Sequence, residues 1–501
     1  MAVPSTDAAA APAPVRLARR PLLAIAGAVA VLLVATSWRY GYHRDELYFL
    51  VAGQHPDWGY PDQPPLTPVL TRLMDLIGPG SIVVLRLPSA LAAGATALLA
   101  GMTAREMGGR TRAQLIAAAS VAVSGTTLVT GHFVSTTTYD ILFSAALCWL
   151  LARSVRTGEN WLLLPAGVVL GLGLLNKSLI GVLALALLAG VAVAGPRRWL
   201  RSGWLVIAAV VAAVFLAPNL VWQGLNGWPE FDMAGSISGG DAQGGRIGFI
   251  PFQLLLVSPV LVPVWVAGLV RLLRAGPGRP FRFLGIAYVL LAVVYLLAGG
   301  KAYYLAGMYP ALLAAGSIAV DGWLRDLPGR IRLLEVALGL SLVVGAVVGL
   351  AVLPARALPP VLAVNPDAGE QVAWPRYVDQ IAGVWNGLTS SQQTTGLVLT
   401  QNYGEAGAID RFGPSRGLPK AYSGHNGFAE WAIPLGEANP VVLVGYADDT
   451  TRGRLFGSCQ QQATLDNGLG LDTQEQGVPV WVCGAPPRAW ADSWDDIRHL
   501  N

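Results

Sequence analysis

Apolar residues run in long blocks through the first 350 positions of the chain and in short ones after that. The long blocks cover residues 21–38, 81–101, 113–130, 139–152, 161–175, 178–195, 204–222, 249–270, 283–298, 303–320 and 333–353. A helix rises 1.5 Å per residue, so about 20 apolar residues cross roughly 30 Å of hydrocarbon. Most blocks reach that length with their flanking loop residues; 139–152 and 161–175 are short. The pattern predicts an α-helical multi-span membrane protein with about eleven transmembrane helices. Composition agrees. The chain is 53% hydrophobic and 13% charged, with mean hydropathy +0.51, whereas a soluble protein is about 25% charged. That much apolar residue does not fit inside one soluble core.

Residues 1–14 are Ala/Pro-rich and read as disordered. Arg16, Arg19 and Arg20 precede the first block. A signal peptide would look similar, but no small-residue cleavage site separates this block from the next loop, so a retained span is expected. The net charge of +4 says little; the placement of Lys and Arg says more. With the N-terminus inside, the inner segments hold 18 Lys and Arg, and the outer loops before the C-terminal part hold 6. This bias predicts a cytoplasmic N-terminus (residues 1–20) and a membrane domain at 21–354 in the cell membrane. It places the first loop (39–80), the 223–248 loop and residues 355–501 outside.

From residue 355 the apolar runs shorten to strand length, at 396–401, 441–446 and 478–483. Segments 405–411 and 451–456 between them read as short helices. A small extracytoplasmic α/β domain is expected. Cys459 and Cys483 lie 24 residues apart in it. In an oxidising compartment they are disulfide candidates, a bond contributing roughly 3 kcal/mol; the alternative is two unpaired core cysteines. Cys148, inside an apolar block, reads as a core residue.

Charge in this apolar chain gathers in the first outer loop, which carries Asp45, Glu46, Asp57, Asp62, Asp75, His43 and His55. Leu66, Val69, Leu70, Leu73 and Ile77 share one helical face, with Thr67, Thr71, Arg72 and Asp75 opposite. A second amphipathic stretch spans 45–52. Two interfacial helices joined by the turn HPDWGYPDQPP are expected. Carboxylates at this depth suit general-base chemistry on a hydroxyl, which makes Asp45, Glu46 and Asp62 catalytic candidates. Three carboxylates also raise a possible divalent metal. On the same face fall His132, Thr136–Thr138, Tyr139 and Asp140, then Asn176 and Lys177, then Lys301, Tyr303 and Tyr304. His132, Tyr139, Asp140 and Lys177 are candidate substrate-binding residues. Lys301, with Tyr304 and Arg44, is a candidate for holding a phosphate. The plainer readings are snorkelling lysines and helix-start carboxylates.

The acidic pair in RDELYF, followed by PDQPPL before an interfacial helix, resembles the GT-C membrane glycosyltransferases. More narrowly it is similar to the protein O-mannosyltransferase and aminoarabinose transferase group. The resemblance covers about residues 20–320. It implies Asp45 as catalytic base, with Asp62, Pro64, Pro65 and Leu66 as the acidic–Pro-Pro-Leu segment. It also implies Lys301, Tyr304, Leu305 and Pro310 as the Lys/Tyr-Leu/Pro loop. The Pro expected soon after Tyr-Leu is replaced by Ala306 and Gly307. The implied activity is inverting transfer of a sugar from a polyprenyl-phosphate donor to a protein, glycan or lipid acceptor. Residues 355–501 do not match the family's eukaryotic sugar-binding modules; NYGEAGAIDRF (402–412) and SGHNGF (423–428) stand out there without an assigned role.

Two rival classes are a flippase or transporter of a lipid-linked sugar and a scaffold that uses the C-terminal domain for binding. No inverted repeat or interrupted mid-membrane helix supports the flippase, and the scaffold leaves the loop carboxylates unexplained. GSISGGDAQGG (235–245) follows no strand and lacks GKS/T, so it predicts a mobile lid and not a P-loop. No zinc-type spacing, Walker motif or nucleic-acid surface is present.

Overall fold

The fold comes from a computed structural model that describes residues 15–239, 245–274, 276, 278–436 and 438–500. Each apolar block beyond the loops forms a helix or a bent pair. Among the described residues seven helices are long and apolar enough to cross a membrane: Arg19–Thr36, Ile82–Glu106, Thr136–Thr157, Gly203–Leu225, Arg279–Ala298, Ala302–Leu324 and Pro328–Gly349. Thr111–Ala122 with Gly125–Gly131 bends by 52°, and Gly245–Val257 with Pro259–Leu273 by 83°; taking each pair as one span gives up to 9. The second bend sits at Ser258, whose φ of 144° is followed by Pro259, a residue with no N–H to continue the helix. The two short blocks become Asn160–Leu174 and Leu179–Ala194, below spanning length by themselves. Outward faces stay apolar: Leu185, Val206, Val214, Leu297 and Val336 are all exposed, as suits side chains that meet lipid tails. The chain is a multi-pass membrane protein.

The C-terminal part is a small domain around a five-stranded sheet. Its strands are β1 (Leu397–Thr400), β2 (Ala421–Ser423), β3 (Val441–Val444), β4 (Cys459–Thr464) and β5 (Pro479–Cys483), in the order β2-β1-β3-β5-β4. β1 pairs in parallel with β2 and β3; β5 runs antiparallel to β3 and β4. β1 and β3 are buried along their whole length, as their unbroken apolar runs require. Cys459 and Cys483 are opposite one another on β4 and β5 and are joined by a disulfide.

The two loop helices differ in setting. Leu66–Ile77 buries Thr67 and Thr71 and exposes Val69, Leu73, Leu76 and Ile77, so its apolar stripe faces outward, the arrangement of a helix at a lipid boundary. Arg44–Ala52 does not lie open at an interface. Glu46, Leu47, Tyr48, Phe49, Val51 and Ala52 are all buried, and Leu47 to Phe49 share one apolar cluster with Trp374, Tyr377, Ile381, Tyr403, Ile409 and Phe428 of the C-terminal domain. The loop and the domain therefore have a common core. The expected lid at 235–245 is in part a helix, Pro229–Gly239; residues 240–244 lie outside the described residues, as does the stretch 1–14 read as disordered.

Candidate functional site

The site starts from a helix cap. His43 Nδ1 accepts the Asp45 N–H at 3.1 Å, and the Glu46 carboxylate accepts the His43 N–H at 2.8 Å. This reciprocal cap fixes the first turn of Arg44–Ala52. Glu46 is then bound on both oxygens by Arg86, at 2.8 and 2.7 Å, and also accepts the Val134 N–H at 2.9 Å. Glu46 and Arg86 are sealed from solvent. Glu46, a catalytic candidate by sequence, has these contacts turned inward and does not line the cavity beside Asp45. Asp45, one residue earlier, points about 100° around the helix and opens on a cavity.

That cavity holds about 370 Å³. It brings together Asp45, Asp62, Lys177, Lys301 and Tyr304 from four separate stretches of sequence. Asp45 Oδ1 accepts the Tyr403 O–H at 2.7 Å, and Asp62 Oδ1 accepts the Tyr48 O–H at 2.6 Å. Lys177 Nζ lies 5.0 Å from the ring centre of Tyr303 and 5.5 Å from that of Tyr304, and donates to Thr137 Oγ1 at 3.3 Å. The turn carrying Lys177 is tied to the first loop: Thr67 Oγ1 donates to Asn176 Oδ1 at 2.8 Å, and Leu66 N–H to the Leu175 carbonyl at 2.8 Å. Met233, Ala234 and Ile237 of helix Pro229–Gly239 wall the cavity with apolar surface.

The two carboxylates are in opposite electrostatic states. Burial works against the Asp45 charge, but His43, Arg44, the Tyr403 hydroxyl and Lys301 together hold its pKa below the usual range. Burial pushes Asp62 up to about 7, and the Asp45 charge adds to this against the Tyr48 hydrogen bond. Burial also pulls Lys177 down to about 8, offset in part by Asp140 and Asp45. Lys301 is lowered by burial, with Asp45 opposing. Among the described residues neither lysine has a carboxylate within ion-pair distance.

The other expected site residues lie elsewhere. Arg44 does not line the cavity; it faces Gln474 and the Tyr403 ring, with its Nε 4.0 Å from Glu370. Its side chain is engaged with the C-terminal domain, apart from the cavity where Lys301 and Tyr304 lie. Tyr139 is buried and shares a 3.0 Å hydrogen bond with Ser89. His132 is buried away from the cavity lining. Asp140 lies one layer deeper, in a small void beneath Tyr304. Among the described residues no three His, Cys, Asp or Glu side chains converge as metal ligands, and Glu46 lies outside the cavity that Asp45 and Asp62 line. Tyr48, Tyr403 and Asn426 line the cavity without having been expected there. The two unassigned motifs of the C-terminal domain supply the last two.

Residues 62–222 match the family model described as dolichyl-phosphate-mannose-protein mannosyltransferase. No protein of curated function matches in sequence. The crystal structure of ArnT from Cupriavidus metallidurans bound to undecaprenyl phosphate superposes with a TM-score of 0.59 at 17% identity, over 94% of this chain and 100% of that one. Its apo form gives 0.58 at 17%, over 93% and 98%. The arabinofuranosyltransferase AftD from Mycobacteria gives 0.54 at 17%, over 95% of this chain and 40% of that one. Residues 62–222 thus resemble the dolichyl-phosphate-mannose-protein mannosyltransferase family, and the chain shares the fold of ArnT over nearly its whole length.

Proposed function

We propose that this protein transfers a sugar from a polyprenyl-phosphate donor to an acceptor hydroxyl at the outer face of the cell membrane, with inversion at the anomeric carbon. The observation that carries the reading is one cavity lined by Asp45 and by two lysines that, among the described residues, have no carboxylate within ion-pair distance. The ArnT relative in the same fold was solved with undecaprenyl phosphate bound. In this reading the Asp45 oxygen left free by Tyr403 takes the acceptor O–H proton. The acceptor oxygen forms its bond to the anomeric carbon as the bond to the phosphate oxygen breaks, and that electron pair stays on the lipid phosphate. Lys301 and Lys177 meet the charge that develops there, in a site with little water to screen it. Asp62, with its pKa raised to about 7, is charged only part of the time near neutral pH, which lessens its repulsion of Asp45 while it holds Tyr48.

The test is Asp45→Asn, purified and given a radiolabelled polyprenyl-phosphate sugar and an acceptor extract. Expression and melting temperature stay near wild type while transfer falls by about 10²-fold or more. Full transfer by that variant would remove Asp45 from the base role. Wild-type protein that moves labelled donor between leaflets but never releases its sugar would replace transfer with lipid transport.

A further inference from the structure

The C-terminal domain reaches into the cavity through one side chain with unusual support. Tyr403 opens helix Tyr403–Phe412, whose start is fixed by a capping box: Asn402 Oδ1 accepts the Gly404 N–H at 2.7 Å, and Glu405 accepts the Asn402 N–H at 3.1 Å. The helix lies directly on Arg44–Ala52. A Cβ on Gly404 would come within 2.9 Å of Arg44 Cβ, and one on Gly407 within 2.9 Å of the Leu47 backbone. Only glycine lets the two helices meet this closely, so little slack remains between them. The Tyr403 ring is held on three sides, 5.0 Å from the Tyr48 ring, 4.6 Å from that of His425 and 5.4 Å from the Arg44 guanidinium.

We propose that Tyr403 is the positioning residue of Asp45: its hydroxyl fixes Oδ1 and leaves Oδ2 as the oxygen that accepts the substrate proton. The inference rests on the transfer reaction proposed above and makes the C-terminal domain a working part of that site. The groups facing Asp45 are His43 and Arg44 on its own turn, Tyr403 from above, Asp62 from the next turn, and Lys177 and Lys301 across the cavity. Of these, His43 Nδ1 stands 3.7 Å from Oδ2 and Arg44 Nε 3.7 Å from Oδ1, both too far for a hydrogen bond. Among the described residues only Tyr403 donates a side-chain hydrogen bond to this carboxylate, from 358 positions away in sequence. A carboxylate with both oxygens free samples several rotamers, few of which present a lone pair to the acceptor. A second bridge steadies the same roof: Tyr48, bonded to Asp62, receives the Gly427 N–H at 3.2 Å.

The test is Tyr403→Phe in the full-length protein, which removes one oxygen and keeps the ring packing. We expect kcat to fall about tenfold, with the donor KM changed less than twofold. The hydroxyl also helps to keep Asp45 ionised, so the acid limb of kcat/KM moves to higher pH in the variant. Tyr377→Phe is the control. It loses a comparable bond, 3.0 Å to Thr473, in the same domain but outside the cavity lining, and leaves the limb in place. Wild-type kcat with an unmoved acid limb in Tyr403→Phe overturns the positioning role, and so does a lowered melting temperature with an unmoved limb. Asp45→Asn, run alongside, separates the two readings: an active Asp45→Asn removes the base itself. A dead Asp45→Asn beside a wild-type Tyr403→Phe removes only the positioning.

Discussion

Lys177 and Lys301 enter the cavity from different loops and find no carboxylate to pair with among the described residues. A buried ammonium without a partner loses hydration and gains little in return, so its proton is held loosely. Lys177, at about 8, carries its charge below that pH in the free protein and loses it above. If it binds the donor phosphate, kcat/KM falls as pH rises through about 8. Lys177→Arg, which stays charged, pushes that alkaline limb upward, and an unmoved limb would take Lys177 out of donor binding. Lys301→Met removes a charge-assisted contact of roughly 1.5–3 kcal/mol, which raises the donor KM about 10- to 100-fold while the melting temperature holds. Titrating the donor against each variant measures both effects.

Helix Arg44–Ala52 shows how a short element becomes precise. Nine residues make a marginal helix alone, so its orientation comes from the His43 cap, the Glu46–Arg86 pair and the Tyr403 helix laid on top. Arg86→Met leaves the Glu46 charge buried and unpaired, a cost of roughly 3–5 kcal/mol. The expected result is a clear drop in melting temperature in detergent, and joint replacement of Glu46 and Arg86 by Met recovers most of it. Much of this scale was legible in sequence. The 3.6-residue stripe at Leu66, Val69, Leu70 and Leu73 marks a helix that exposes Val69 and Leu73 and packs Leu70 against the core. The runs at 396–401, 441–446 and 478–483 match β1, β3 and β5. Other signals were present but unread: Trp374, Tyr377, Val378, Ile381, Ala382 and Trp385 form a clean buried stripe on helix Trp374–Asn386. Strand β4, CQQQAT, was not legible at all, because an exposed edge strand needs no apolar alternation. Asp45, Asp62, Lys177 and Lys301 carried local cues of charge in apolar surroundings. Tyr403 and Asn426 sat in two motifs that stood out without a role, since what places them at the cavity is packing between segments more than 350 residues apart.

At the scale of the molecule, membrane helices and sheet domain meet at one end of the bundle, and the cavity lies at their junction. Which side of the membrane that end faces decides what substrates can reach it. We propose that it faces outward, from two independent features. The 18-to-6 bias of Lys and Arg puts the opposite end inside. The Cys459–Cys483 bond belongs to a compartment that favours disulfides. A lipid-linked donor suits such a site, because it is delivered within the membrane and needs no nucleotide sugar outside the cell. Reporter fusions at the C-terminus test the orientation. Alkaline phosphatase, which folds only after export, is expected to be active there, and green fluorescent protein, exported unfolded through the same route, is expected to be dark. A fluorescent fusion with an inactive phosphatase would place the domain in the cytoplasm and move the whole cavity to the inner leaflet. Asp45 would then have to act on cytoplasmic acceptors, and the pH limbs expected for Asp45 and Lys177 would still apply, since they depend on the cavity and not on the side it faces.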